Sequence, residues 1–317
     1  MELMQLEMLT AVVEEGSVHK AAEKVFRTQP AVSIALRKLE QEIGAPLFDR
    51  SNRKSYVLTD TGEVLYNYAR RVLNLRDESL VAIQELHDLQ RGRLRVGANE
   101  SACLYVLPSV VQEFRQRYPK IKIEIVRHLS SGLVRELKEH NLDCGILSFH
   151  PEDGDLEATP VMGDELVLVV SPHHELAAKG RVHIKELGTQ SFIAHNVRSR
   201  SREKLVEAFQ RLAIPLNISI EIATIETIKK FVIMNLGISF VPLMCVREEL
   251  ARGDLRLVPV DGFRHERTLW LVRRVTETPH HAAKAFMDII GCWSEKSGYG
   301  GVASREPRVV GEVRVTK

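Results

Sequence analysis

A chain of 317 residues, 44% hydrophobic and 27% charged, has the length for two or three domains and a large core. Its net charge of +2 is near neutral, so any basic excess must be local. No apolar h-region follows a basic start and no apolar run is long enough to span a membrane, which sets the expectation of a cytoplasmic protein. Cys103, Cys144, Cys245 and Cys292 are far apart and lack metal-ligand spacing, so reduced core thiols are expected, with no metal and no cofactor.

In chain order, the first informative stretch is Ser17 to Thr59. A helix is expected from Gly16-Ser17, with Ser17 as cap, to Phe26, and the small pair Ala21-Ala22 allows a second helix to cross closely. That second helix starts at Thr28-Gln29-Pro30, with a capping hydroxyl and a proline in the first turn, where its missing N–H costs nothing. Val32, Leu36, Leu39 and Ile43 recur at helical spacing and form one buried stripe, and Gly44 sits where a left-handed C-cap belongs. Gln29, Pro30, Ser33, Ile34 and Arg37 are left on the other side, a face suited to the major groove. Short strands at Leu47-Phe48 and Tyr56-Val57-Leu58 then flank a turn-rich tip carrying Arg50, Arg53 and Lys54. Two helices and a basic hairpin are the layout of a winged helix-turn-helix. The bland alternative is a structural three-helix domain with solvated charges.

A long helix follows, opened by Thr59-Asp60, with Asp60 and Glu63 at the spacing of a capping box. It is predicted to reach about Gln90. Leu65, Tyr68, Val72, Leu75, Ser79, Ala82, Leu86 and Leu89 alternate at three and four residues, a heptad seam with one polar interruption. At 1.5 Å per residue such a helix is about 45 Å long, too long to bury against one small domain. The expected partner is the same helix of a second subunit, with Leu65, Val72, Leu75 and Leu86 at the contact; the alternative is packing on its own chain. Arg91-Gly92 is expected to end the helix and hinge the next domain.

From Arg93 the pattern alternates between strands and helices. Strands are expected at Leu94–Val96, Ile121–Val126, Cys144–Phe149, Leu166–Val170, Phe192–Ala194, Ile218–Ile222, Ile238–Val241, Leu255–Val258 and Thr268–Val272. Helices are expected at Tyr105–Tyr118, Leu133–His140, Arg202–Leu212, Ile225–Asn235, Met244–Ala251 and Pro279–Trp293. The uninterrupted apolar run Leu166–Val170 suggests a buried parallel strand. The fold class is therefore α/β overall with a mainly parallel sheet. Residues 294–317 lack periodicity and read as a disordered tail.

The paired alanines Ala21-Ala22, then Thr28-Gln29-Pro30-Ala31-x-Ser33, Leu39-Glu40, Ile43-Gly44, Leu47-Phe48, Arg50 and Leu58-Thr59-x-x-Gly62 resemble the DNA-binding domain of the LysR-type transcriptional regulators. Ile43 stands where that family usually has leucine. The resemblance implies base and backbone contacts at Gln29, Pro30, Ser33, Arg37, Arg50 and Arg53. It implies a winged helix-turn-helix over 1–58, a linker helix over 59–91, and a two-lobed α/β effector-binding domain over 92–293 resembling type 2 periplasmic binding proteins. Lobe I would take 92–162 and 264–293 and lobe II 163–263, with chain crossings near Met162 and Phe263. The implied partners are double-stranded promoter DNA, a small-molecule effector, RNA polymerase, and a homodimer or homotetramer, with no membrane.

Ligands of open α/β sheets bind beyond the carboxyl ends of the strands, near helix N-termini. That rule selects Asn99 and Ser101 after the first strand, Ser148 after the third, and Arg198, Ser201 and Thr224 in the second lobe. The run His195-Asn196-Val197-Arg198-Ser199-Arg200-Ser201-Arg202 interleaves arginine with serine just before a helix, a setting for a carboxylate or another oxyanion; a solvated basic loop is the plainer reading. Glu100 argues against a purely anion-selective pocket, or suggests an amino group on the ligand. His173-His174 reads as a surface turn, and no nucleophile elbow or phosphate loop points to an enzyme. The chief functional alternative is a cytoplasmic small-molecule-binding protein whose N-terminal module only dimerises.

Overall fold

The computed structural model of the chain describes residues 1–49, 56–87, 92–197, 199–275 and 279–296. The N-terminal head packs α1 (Leu3–Glu15), α2 (Val18–Lys24) and α3 (Gln29–Ile43) around Leu9, Val12, Ala21, Val32 and Leu39, all essentially inaccessible. The sequence reading begins at Ser17 and so lacks α1. Ser17 caps α2 by accepting a bond from the Lys20 amide, and the chain leaves that helix before Phe26, whose φ of 54° is left-handed. In α3, Pro30 lies in the first turn and Gly44 is the left-handed C-cap with φ 78°, but the Thr28 hydroxyl makes no capping bond. Ile43 also departs from the expected stripe. At the last turn it is 36% exposed, because the head core ends at Leu39 and Leu47.

The wing is anchored by an antiparallel bridge between Phe48 and Leu58 and by the Asp49 amide donating to the Val57 carbonyl at 2.8 Å. Its tip, with Arg50, Arg53 and Lys54, lies outside the described residues. Thr59, not Asp60, caps the following helix α4 (Asp60–His87): its hydroxyl accepts from the Gly62 amide at 3.0 Å and donates to the Pro46 carbonyl at 2.7 Å. Gly62 is required there by space, since a Cβ would fall 2.1 Å from the Leu47 carbonyl oxygen.

α4 has two apolar faces. Leu65, Ala69 and Leu73 pack on the head core, so Leu65, expected at the subunit contact, is turned toward the head of its own chain. Val64, Tyr68, Val72, Leu75 and Ile83 form the outward stripe, each 42–59% exposed. The side chain of Leu86 lies outside the described residues. Polar contacts seat the same helix on the next domain. Asn74 Nδ2 donates to Asn141 Oδ1 at 2.5 Å, and Glu78 accepts from Arg274 at 3.1 Å, a guanidinium that also binds the Leu137 and Leu142 carbonyls. Gly92 opens a strand, and Arg91, the other residue of the expected hinge, lies outside the described residues.

The remainder runs β1 (Gly92–Ala98), α5 (Glu100–Tyr105), α6 (Leu107–Arg117), β2 (Ile121–Arg127), α7 (Ser130–Lys138), β3 (Cys144–Leu147) and β4 (Leu156–Val170). It continues with α8 (Glu175–Lys179), β5 (Val182–His183), β6 (Phe192–His195), α9 (Arg200–Arg211), β7 (Ile218–Ile222) and α10 (Ile225–Ile233). β8 (Ser239–Pro242), α11 (Arg247–Arg252), β9 (Arg256–Val258), β10 (Val260–Asp261), β11 (His265–Arg274) and α12 (His281–Lys296) close it. One sheet of order β2-β1-β3-β11-β4-β8, with β9 also on β4, runs through both lobes; β6 and β7 form a second, parallel pair, and β5 and β10 a third.

The expected parallel sheet is thus only half right. β1 pairs in parallel with β2 and β3, whereas β4 runs antiparallel to β11, β8 and β9. Leu166–Val170 is apolar throughout because its alternating side chains enter two cores: Val167 and Val169 join the cluster continuous with the first lobe, and Leu168 and Val170 that of the second. β4 and β11 are themselves the lobe crossings. Met162 lies within β4, opposite Leu269 of β11, and Phe263, just before β11 begins at His265, packs on Phe240. α12 runs on to Lys296, and Ser294, 7% exposed, donates to the Val161 carbonyl; the expected tail therefore does not include 294–296. Residues 297–317 lie outside the described residues. Of the cysteines, Cys144 and Cys245 are buried, but Cys103 is half-buried and Cys292 exposed, so only two are core thiols.

Candidate nucleic-acid face and ligand cleft

The outer face of α3 presents Gln29, Pro30, Ile34 and Arg37 exposed and Ser33 partly so, opposite the buried Val32, Leu36 and Leu39. One amphipathic helix therefore supplies both the head core and an unobstructed polar surface.

Between the lobes lies a cavity of about 770 Å³. Its floor is the crossing pair: Arg267 on β11 reaches Asp164 on β4, Nε to Oδ2 2.8 Å, with the carboxylate fully buried and also accepting from the Met244 amide at 3.0 Å. One wall comes from the first lobe. Asn99 caps α5 by accepting from the Ala102 amide at 2.9 Å, and Ser101 is 4% exposed and accepts a bond from the Cys245 thiol at 3.6 Å. Burial pushes that thiol up to about 12. Ser148 binds Ser130, hydroxyl to hydroxyl at 3.2 Å. The facing wall holds Ser199, which caps α9, then Arg200 and Ser201, the latter 3.1 Å from His265 Nε2. Burial, with Arg267 and Lys204 nearby, holds the His265 imidazole below its usual range. Arg200 lies over the Phe149 ring at 4.2 Å, a cation–π contact made across the cleft.

Of the residues selected from sequence, Asn99, Ser101, Ser148 and Ser201 line this cavity. Thr224 does not: its hydroxyl caps α10, accepting from the Thr227 amide at 3.3 Å. Arg198 lies outside the described residues. Sequence reasoning missed Arg127, Ser130 and Arg267. The first ends β2 and the second lies three residues past it, so the strand-end rule could have found them; Arg267 is internal to a strand and gives no local signal.

Glu100 faces the same space with its side chain 9% exposed. Burial raises its pKa, but the His195 imidazole and the Arg127 guanidinium outweigh that and hold the carboxyl below the usual carboxylate range. At the far side of the lobe junction, Lys229 Nζ contacts Glu226 and Glu249, each at 2.8 Å, and Tyr105 Oη at 2.9 Å, tying α10 to α5. His174 caps α8, and among the described residues no group of three His, Cys, Asp or Glu is placed to hold a metal. No helix among the described residues is long and apolar enough to cross a membrane.

Comparison with known proteins agrees with this geometry. Residues 3–63 match the model of the bacterial regulatory helix-turn-helix protein, lysR family, and residues 87–293 match the LysR substrate binding domain. A probable RuBisCO transcriptional regulator of Trichormus variabilis is 33% identical over 290 residues, 90% of this chain and 86% of that protein. Full-length CbnR, solved with its target DNA, superposes with a TM-score of 0.67 at 20% identity, over 92% of this chain and 99% of that one. The regulatory domain of CcmR from Synechocystis PCC6803, solved with 2-PG, has a TM-score of 0.59 at 25% identity, over 65% of this chain and 98% of its own. With both family models matched in order along one chain, head and cleft domain together, the protein belongs to the LysR family of transcriptional regulators.

Proposed function

We propose that this regulator binds promoter DNA as a dimer or a dimer of dimers and that a small anionic metabolite in the interlobe cleft changes how it does so. The observation that carries this reading is the cleft itself. It is an open cleft of about 770 Å³ lined by Arg200, Arg202, Arg267 and a cluster of serines, on the same chain as an exposed α3. Guanidinium groups and hydroxyls around one cavity suit a carboxylate or phosphate. That a similar domain was solved with 2-PG supports the same ligand class.

Gln29, Ser33 and Arg37 would face bases, Pro30 would fix the entry of α3, and Arg50 and Arg53 on the wing would hold phosphate. The outward stripe of α4, with Val72 and Leu75, would pair two subunits and so present two copies of α3 to one duplex. The domain division would be head 1–58, linker 59–91 and effector domain 92–296, since α12 runs to Lys296. A ligand that binds two lobe arrangements unequally shifts the population on DNA and, through it, the encounter with RNA polymerase. The protein would act by binding, without catalysis, and would work in the cytoplasm where its promoter is.

The test is a thermal-shift screen of carboxylates, phosphates and sulfate on the full chain, followed by gel shifts with the best hit. An anion that stabilises the protein, alters its DNA complex and loses its effect in Arg200→Ala and Ser148→Ala is expected. A tight ligand indifferent to both changes would place the site elsewhere. Ligand binding with no DNA complex at any promoter would favour a solute-binding protein whose head only dimerises.

A further inference from the structure

The cleft already contains a carboxylate, and it is the protein's own. Glu100 begins α5 in the first lobe and crosses to the start of α10 in the second. Its Oε1 accepts from the Ile225 amide at 3.3 Å. Its Oε2 lies 3.3 Å from His195 Nε2 and 3.5 Å from the Arg127 guanidinium. Yet no hydrogen bond reaches that buried oxygen, because His195 Nε2 lies at bonding distance, 2.9 Å, from the Ala223 carbonyl. A first-turn amide at a helix N-terminus, an imidazole and a guanidinium are what a free acid asks of a binding site. Thr224 caps α10 through the Thr227 amide, which leaves the Ile225 amide to this carboxylate.

We propose that His195, Arg127 and the N-terminus of α10 form a carboxylate subsite of the cleft, and that Glu100 competes for it with the acid group of the ligand. The inference rests on the cleft being the ligand site. Two carboxylates cannot share these donors, since like charges at such a distance repel. An entering acid therefore displaces Glu100, and the carboxylate that bridges the lobes is exchanged for one that does not belong to the chain. The lobe arrangement then depends on which carboxylate is seated, which is the differential contact a ligand-driven shift requires. The internal carboxylate also lowers apparent affinity by the fraction of molecules in which it is seated.

Acetate is the probe, because Glu100→Ala removes a CH2–COO⁻ group of nearly the same shape. Thermal unfolding of the full chain is followed against acetate, with chloride at matched ionic strength as control. Acetate is expected to stabilise Glu100→Ala saturably and to bind it at least about tenfold more tightly than wild type. Adding His195→Ala should abolish the gain. Glu100→Gln, which keeps the size and loses the charge, is expected to bind acetate more tightly than wild type and guards against a poorly folded alanine variant. Equal acetate responses in wild type and both variants, or none in any, would overturn the proposal. An acid from the wider screen that binds all three proteins with equal affinity would remove this subsite and leave the cleft reading standing; no acid binding to any of them would remove both.

Discussion

In the head, Gln29, Pro30, Ser33 and Arg37 lie along one face of one helix, whereas the cleft draws Asn99, Arg127, Ser148, Ser201 and Arg267 from both lobes and from the crossing strand β11. The head's surface is fixed by helical periodicity: once Val32, Leu36 and Leu39 are buried, the residues on the far side must face out. The cleft has no such rule. Its electrostatics come from groups brought together by the crossing of β4 and β11, and its charges are partly spent on one another, as in Asp164–Arg267 and Glu100–Arg127. A local site therefore tolerates single changes at the cost of one contact, while an assembled site fails as a structure.

The largest effect should come from the cleft floor. Arg267→Met leaves the Asp164 carboxylate buried without its partner and is expected to cost about 3–5 kcal/mol in denaturant unfolding. Adding Asp164→Leu should recover most of the loss; an additive double variant would show that the pair does not act as a unit.

Next is the outward stripe of α4. Val72→Glu should give monomers by light scattering and weaken binding to a two-half-site operator by at least about 100-fold, through lost avidity. The thermal stability of the head should not change, because Val72 faces away from it. An unchanged mass would move the subunit contact to the effector domains.

On α3, Gln29→Ala should cost about 1–3 kcal/mol on the preferred operator and relax the choice at one base pair. Arg53→Ala on the wing should weaken all sequences alike and lower the salt dependence. If Gln29→Ala changed neither affinity nor preference in a gel-shift titration, the groove face would be wrongly assigned.

The smallest effect is acid-side stability. The folded carboxyl of Glu100 titrates below its ordinary value of 4.5, so its contribution is fully present above that pH and is lost as pH falls through the folded value. Glu100→Gln should flatten the stability–pH curve below about pH 4.5 and leave its neutral region parallel to wild type. Identical acid limbs would mean that the carboxylate is not held by His195 and Arg127.

Short-range rules made the head legible. Ser17, Pro30 and Gly44 each answer a local demand of cap, first turn or C-cap, and each stands where the pattern puts it. Where the next residue in space was far away in sequence, the same reasoning failed. Ile43 has apolar spacing, but no core lies above it. Leu65 fits a heptad, yet it meets the head of its own chain, because a helix with two apolar faces does not say which one is turned inward. Thr224 obeys the strand-end rule and spends its hydroxyl on its own helix.

By itself, then, the sequence determined the order of head, long helix and α/β domain and which face of α3 is left exposed, because each depends on periodicity or on contacts a few residues apart. Tertiary structure alone decided the antiparallel crossing strands, the buried Asp164–Arg267 floor, and the seating of Glu100 against a helix more than a hundred residues away. Those features depend on desolvated charges meeting across the fold, and a charge shows in sequence only that it exists, not what it will face once water is excluded.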